Sequence, residues 1–150
     1  PVVSSAASDV YKRQSHRWDD WNLRVVNTRH TVQNLGLRLE AGSPTKVFCY
    51  SGDGMFTPTA SKLYTNADLL VHEAYTSDGT VKNPRGETVT IGTKTHCSLQ
   101  QLERLDDMAR PKKMALIHLN RKLREEKKDI LKKYRQRRWI MPDAGEVIEL

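Results

Sequence analysis

The chain has 150 residues, which is the size of one domain or part of one. Its hydrophobic fraction of 37% is low but sufficient for a core, and no run of about 18 apolar residues offers a membrane span. The two cysteines, Cys49 and Cys97, lack the close spacing of a metal-binding pair. We therefore expect two reduced thiols and a cytoplasmic protein.

The net charge of +7 is concentrated in one segment near the C-terminus. Residues 121–138 contain ten Lys or Arg and three Asp or Glu, so this segment carries the whole excess. One interpretation is an amphipathic helix with inward apolar residues, and another is a basic surface that attracts a phosphate backbone. Composition does not separate the two. The inward residues would be Leu123, Ile130, Leu131 and Tyr134.

The first segment of the chain is predicted to be non-native. Residues 4–14, SSAASDVYKRQ, resemble the translation of a transposase-based sequencing adapter. This resemblance implies a metagenomic gene fragment in which residues 1–14 derive from the adapter and lack defined structure. We expect residues 15–150 to be the C-terminal part of a single domain whose preceding part is missing.

The next part of the chain predicts three strands and a helix. Residues 23–29 have strand character, and residues 34–42 alternate apolar and polar side chains, as a half-buried strand does. Residues 46–52 suit a buried strand. Residues 57–67 predict a short helix, because Thr57 is a good N-cap and a proline follows it.

The second half continues with buried strands and helices, as expected for an α/β fold. Ser98 predicts a helix N-cap, and Pro111 follows the end of that helix. In chain order we predict a strand at 68–75, a Gly/Thr-rich loop at 77–95, a helix at 98–109, a strand at 113–119, a basic helix at about 120–137, and two short strands within 138–150.

Polar residues follow or end three of the predicted buried strands. Asp53 follows the first, the pair His72-Glu73 lies near the end of the second, and His118 ends the third. Sites in α/β proteins collect at the carboxyl ends of strands. The sequence therefore predicts a polar site at one edge of the sheet.

Five stretches of the chain resemble the C-terminal half of the metallo-β-lactamase fold. The closest resemblance is to its ribonuclease Z and phosphodiesterase branch. This resemblance implies an α/β fold that forms one half of an αββα sandwich. The stretches, in the order of that branch, are HTVQNLGLRLE (30–40), YSGDG (50–54), ADLLVHEAYT (67–76), THCS (95–98) and LIHLNR (116–121).

The resemblance implies a site with two divalent metal ions, most simply zinc, with manganese or iron as alternatives. Asp53 would bridge the metals, His30 would bind one of them and His118 the other. A hydroxide between the metals would attack the phosphorus of a phosphodiester.

The resemblance also implies a proton relay of His96 and Glu73, in which a carboxylate raises the pKa of the His that protonates the leaving oxygen. His72 would be a structural residue behind the ligands. At the start of the basic segment, we expect Arg121, Lys122 and Arg124 to bind substrate.

The chain departs from the family pattern in ways that bear on function. The main metal motif HxHxDH is absent, so we expect a fragment that holds no tight two-metal site, is inactive alone and exposes an apolar sheet edge and face. Gly54 stands where a Thr is usual, and Cys97-Ser98 stand where Ser-Thr is usual. Only 22 residues separate His30 from Asp53, which leaves no room for a tRNA-gripping arm there.

Several functions remain open on the sequence. The substrate would be RNA or a cyclic nucleotide if the enzyme cleaves phosphodiesters, and relatives in this branch imply a homodimer. Other hydrolases of the superfamily cleave esters, thioesters or sulfate esters. The main alternative is a non-catalytic nucleic-acid-binding module that uses residues 121–138. Another is a pseudo-enzyme that keeps the fold but binds no metal.

Overall fold

The computed structural model describes residues 15–90 and 95–150. The prediction for residues 1–14 lies outside these residues. Nine strands and four α-helices run along the described chain. The strands are β1 (Ser15–Trp18), β2 (Trp21–Thr28), β3 (Asn34–Ala41), β4 (Lys46–Tyr50), β5 (Leu69–Glu73), β6 (Thr80–Lys82), β7 (Thr88–Thr90), β8 (Met114–Ile117) and β9 (Trp139–Ile140). The helices are α1 (Pro58–Leu63), α2 (Leu99–Ala109), α3 (Arg121–Glu125) and α4 (Lys127–Lys133).

Seven of these strands form one mixed sheet in the order β1-β2-β3-β4-β5-β8-β9. The first four strands are antiparallel neighbours, whereas β4, β5, β8 and β9 are parallel. Parallel strands end at the same edge of a sheet, so the residues that follow β4, β5 and β8 come together there. The α/β fold class is confirmed.

Helices α1 and α2 begin where the sequence predicts. Thr57 accepts a hydrogen bond from the backbone N–H of Ala60 at the start of α1. Ser98 accepts one from the N–H of Gln101, whose side chain in turn accepts from the Ser98 N–H. Each cap satisfies N–H groups that have no partner within the helix.

The hydrophobic core lies between the helices and one face of the large sheet. Strand residues on this face alternate with residues on the other, as the two-residue period of a strand requires. The largest fully buried apolar side chains are Tyr64, Leu70, Leu102, Leu105, Met114, Leu116 and Leu123.

The opposite face of the sheet is apolar but less buried. Leu37 pairs with Tyr50, which pairs with Val71, and Leu39 pairs with Phe48. All five side chains are only partly buried. The sheet therefore has a second apolar face that is partly open to solvent, as the sequence predicts.

The Gly/Thr-rich segment contains more structure than predicted. Strands β6 and β7 pair antiparallel as a separate two-stranded sheet within the predicted loop 77–95. Val81 and Val89 pair with each other at its centre. Threonine and valine favour strands, so the expectation of a loop was wrong because it gave more weight to the glycines.

The basic segment is not one continuous helix. It is divided into α3, α4 and a 3₁₀ helix (Arg135–Arg137), with the first break at Glu126. Pairs of like charge four residues apart, such as Arg124 with Lys128, disfavour an uninterrupted helix. Leu123, Ile130 and Tyr134 are buried as predicted, and Leu131 packs partly against the core.

Only one of the two short strands predicted within 138–150 forms in the described structure. This strand, β9, contains two residues. Pro142 follows it closely and has no N–H to donate to a strand ladder. The chain then turns, with the Glu146 N–H donating to the Asp143 carbonyl oxygen.

Asp68 joins β4 to the start of β5. Its carboxylate accepts hydrogen bonds from the Val47 N–H at 2.8 Å and from Lys112 Nζ at 2.7 Å. The hydrogen bond from Lys112 has the largest effect on the pKa of Asp68 and lowers it. Burial raises this pKa, and the hydrogen bond from the Val47 N–H lowers it further. The charged carboxylate therefore stabilises the folded state.

We expect Asp68→Asn to lower the free energy of unfolding by about 1–3 kcal/mol at pH 7. Because the folded-state pKa lies below the unfolded value, this stabilisation is present above the unfolded pKa and is lost as the pH falls through the folded one. Urea unfolding between pH 7 and pH 3 should show the difference between the two proteins narrow in acid. Asp129→Asn, at an exposed carboxylate, is the control. A pH-independent difference would contradict the prediction.

Candidate metal centre

Four of the predicted site residues come together at the carboxyl edge of the parallel strands. One ligand atom from each of these residues lies within 4.8 Å of every other. Asp53 lies in the turn after β4, Glu73 ends β5, His118 follows β8 and His96 precedes α2. The group therefore comprises Asp53, Glu73, His96 and His118.

Asp53 lies between two imidazoles. Its Oδ1 is in close contact with His118 Nδ1 and lies 3.8 Å from His96 Nδ1. The backbone N–H of Asp53 donates to Asn34 Oδ1 at 3.1 Å. About half of the Asp53 side chain is exposed, so the group opens toward solvent.

Glu73 is fully buried behind this opening. One carboxylate oxygen accepts a hydrogen bond from the Cys97 N–H, and the other lies 3.4 Å from His96 Nδ1. Burial raises the pKa of Glu73 to about 8, the Cys97 N–H opposes this, and the charge of Asp53 adds to it. This raised pKa favours the protonated form of the Glu73 carboxyl group.

His96 is stacked on Tyr75, with ring centroids 4.6 Å apart and an angle of 24° between the planes. Burial lowers the pKa of His96 more than the neighbouring Asp53 raises it, and His118 and His30 lower it further. The expected rise in this pKa was wrong, because desolvation outweighs the attraction of the carboxylate.

His30 follows β2 and lies beside the group without joining it. Its ring centroid is 5.2 Å from that of His96. Its Nδ1 faces the Thr31 hydroxyl and the Val32 N–H, each at 3.4 Å. The structure thus brings His30 to the same edge as His96 and His118.

His72 lies on the core side of β5. It is fully buried between the rings of Phe56 and Tyr64, and its Nδ1 lies 2.8 Å from the Glu73 carbonyl oxygen. Burial lowers the pKa of His72 to about 4, with the Glu73 carbonyl opposing this shift, so the ring is neutral. A neutral imidazole that packs in the core suits the structural role expected of it.

The two cysteines are buried and free. Burial raises the pKa of the Cys49 thiol to about 12 and raises that of Cys97 as well. Neither thiol is therefore a reactive thiolate. The sequence singled out neither the Cys97 N–H nor Asn34, because both contacts join segments that are distant along the chain.

The group fits a divalent cation. Asp53 Oδ1, Glu73 Oε2 and His96 Nδ1 are buried without a hydrogen-bond partner among the described residues. Buried polar atoms without partners are rare, and such atoms indicate a missing water or ion. Imidazole nitrogen and carboxylate oxygen are the ligands that zinc, manganese and iron accept.

A cavity of about 640 Å³ lies beside His118. Arg121, Arg124, Lys127 and Asp143 line it, and Lys127 Nζ lies 2.9 Å from Asp143 Oδ2. A second cavity of about 610 Å³ shares Tyr75 and Arg121 with the first, and it is also lined by Lys82 and Lys122. The predicted substrate-binding residues Arg121 and Arg124 therefore line the same cavity as His118, and Lys122 lines the neighbouring one.

No family model and no curated protein sequence match this chain. Solved structures, in contrast, do align with this chain. The human short-form tRNase Z, ELAC1, aligns with a TM-score of 0.57 and 20% identity over 73% of this chain and 40% of its own. The metallo-β-lactamase fold protein YhfI from Bacillus subtilis aligns with a TM-score of 0.56 and 21% identity over 78% of this chain and 46% of its own.

These alignments establish the fold. The chain has part of the metallo-β-lactamase fold, as its motifs predict. It spans less than half the length of both structures. Among the described residues, no helix combines the length and apolar character needed to cross a bilayer.

Proposed function

We propose that this chain is part of a metal-dependent hydrolase that cleaves phosphodiesters. The observation that carries the proposal is the convergence of four residues that bear metal-ligand or proton-transfer groups, among which Asp53 Oδ1 is a buried atom without a hydrogen-bond partner within the described residues. The fold shared with a tRNase Z supports it. Divalent metal ions, in the first place zinc, would when bound supply Lewis acidity and a water of lowered pKa.

Asp53 and His118 would hold metal, with Asp53 as the residue shared between two ions. Their side chains are in contact at the open side of the group. His30 would approach from the end of β2, beside His96. Manganese and iron are the alternatives to zinc, because the same donors accept them.

His96 and Glu73 would hold and move the proton that the leaving oxygen needs. The pKa of Glu73 is raised and that of His96 is lowered, so a proton favours the carboxyl group. Glu73 Oε2 lies 3.4 Å from His96 Nδ1, which is the path by which the proton would reach the imidazole. The stacking on Tyr75 fixes the plane of this imidazole.

The basic side chains beside His118 would bind the substrate phosphates. We expect Arg121→Ala combined with Arg124→Ala to weaken binding of a single-stranded oligonucleotide and to reduce its salt slope by about one per lost contact. Fluorescence anisotropy over a salt series measures both quantities. Lys46→Ala, at an exposed lysine on β4, is the control. An unchanged slope in the double variant would contradict the assignment.

The non-catalytic nucleic-acid module has less support. Single-strand binders present exposed aromatic rings on which bases stack. In the basic segment, Tyr134 is buried and stacks on the buried Trp139 instead. Arg137 is engaged by Asp106 and Asp107 of α2, so it too anchors the segment.

The chain is proposed to be the C-terminal part of one metallo-β-lactamase domain. The coding sequence upstream of Ser15 tests this proposal. An in-frame HxHxDH motif, and zinc-dependent cleavage of a phosphodiester by the extended protein but not by residues 15–150 alone, would support it. Cleavage of carboxylic esters, thioesters or sulfate esters, but not of phosphodiesters, would refute the proposed substrate class. An extended protein that binds no metal would be the alternative in which the fold has lost its metal site.

The cytoplasmic location, the homodimer and the choice between RNA and a cyclic nucleotide remain predictions. The adapter origin of residues 1–14 also remains a prediction. The geometry of the candidate metal centre does not test any of these predictions.

A further inference from the structure

The turn that carries Asp53 is built around one side chain from the neighbouring strand. Asn34 is the first residue of β3. Its Oδ1 accepts the Asp53 N–H at 3.1 Å, and its Nδ2 donates to the Ser51 carbonyl oxygen at 3.3 Å and to Thr28 Oγ1. One amide group therefore joins the turn to the ends of β2 and β4.

Two glycines leave the space that this amide fills. A Cβ atom at Gly52 would lie 2.7 Å from Asn34 Oδ1, and one at Gly54 would lie 2.7 Å from Asn34 Nδ2. Gly52 also has a φ of +64°, which favours glycine. The turn thus wraps closely around Asn34, and this explains why glycine stands at position 54.

Other contacts fix the two ends of the turn but not its centre. The Ser51 N–H donates to the Val71 carbonyl oxygen, and Met55 pairs with Arg29. Between these points, the hydrogen bond to Asn34 is the one that the Asp53 backbone makes within the described part of the chain. The backbone position of Asp53, from which the carboxylate projects, therefore depends on Asn34.

We propose that Asn34 is a positioning residue that sets the Asp53 carboxylate between His96 and His118. Asn34 acts through the Asp53 backbone and is absent from the ligand group itself. The value of this positioning for chemistry rests on the proposed function, since a carboxylate held by its own backbone is preorganised for a cation. The geometry of the turn does not depend on that function.

Amide hydrogen exchange at Asp53, followed by NMR in the 150-residue chain, tests the geometry without metal. We expect Asn34→Ala and the similarly sized Asn34→Leu to speed exchange at Asp53 at least about tenfold. Asn34→Asp keeps the acceptor oxygen and should restore slow exchange. Gln33→Ala, at the exposed neighbouring residue, is the matched control. Urea unfolding corrects each rate for global stability.

Titration of the protein extended upstream of Ser15 with Co²⁺ alone, followed by its visible absorption, tests the consequence for metal. We expect Asn34→Ala and Asn34→Leu to weaken Co²⁺ binding about 10–100-fold and Asn34→Asp to retain it. Unchanged Asp53 exchange in Asn34→Ala and Asn34→Leu would overturn the positioning role. Asn34→Leu still decides the question if Asn34→Ala does not fold. Absence of Co²⁺ binding to the unsubstituted extended protein would count against the metal proposal, while exchange still decides the role of Asn34.

Discussion

Asp53→Ala is expected to abolish specific metal binding at the strand edge. Asp53 lies between His96 and His118, and its Oδ1 is a buried atom that lacks a hydrogen-bond partner among the described residues. Loss of a supporting partner of a metal ligand typically costs 10–100-fold in affinity, so loss of this carboxylate should cost more than about 100-fold. Isothermal titration with zinc measures the effect in the protein extended upstream of Ser15.

The extended protein should lose phosphodiester cleavage in parallel with metal. Asp20→Ala, in the exposed turn between β1 and β2, is a matched control that removes a carboxylate elsewhere. The folded state should persist in Asp53→Ala, because half of this side chain is exposed. Retained zinc affinity in a folded Asp53→Ala protein would remove Asp53 from the ligand set.

Gly36→Ala is expected to cause a large loss of stability. A Cβ atom at Gly36 would overlap the Tyr64 hydroxyl and lie 3.1 Å from both Tyr64 Cζ and Thr28 Cγ2. Tyr64 is fully buried and cannot retreat. Overpacking of this kind costs about 1–3 kcal/mol or more, and urea unfolding should show a reduced midpoint.

A second substitution separates this clash from a general effect of alanine. The Tyr64 hydroxyl is buried without a hydrogen-bond partner among the described residues. Tyr64→Phe should therefore be neutral or stabilising alone. When it is combined with Gly36→Ala, it should recover most of the stability that Gly36→Ala alone loses, because the overlapping hydroxyl oxygen is absent. Additive effects of the two substitutions would contradict the proposed contact.

Local patterns in the sequence predicted the positions of the site residues at strand ends. Buried strands of about five residues that each end in a polar group specified β4, β5 and β8, and parallel pairing then brought Asp53, Glu73 and His118 together. Thr57 and Ser98 marked two helices correctly, since capping is a local interaction. These features needed no knowledge of distant contacts.

The parts that the sequence did not predict depend on distant contacts. Asn34 lies 19 residues from Asp53, and the Cys97 N–H lies 24 residues from Glu73. The lowered pKa of His96 results from burial, which only the folded chain provides. The helix break at Glu126 depends on how repulsion between like charges compares with the burial of a few apolar side chains. Hydrophobic periodicity alone does not predict which of the two effects is larger.

His118 has a left-handed backbone, with a φ of +53°. Such a conformation costs a non-glycine residue roughly 1–2 kcal/mol, and glycine would adopt it without that cost. Glycine would also remove the imidazole that contacts Asp53. Selection for thermal stability and selection for chemistry would therefore favour different residues at this position. In laboratory evolution that selects only for stability, we expect His118 to be replaced before the other residues of the candidate metal centre.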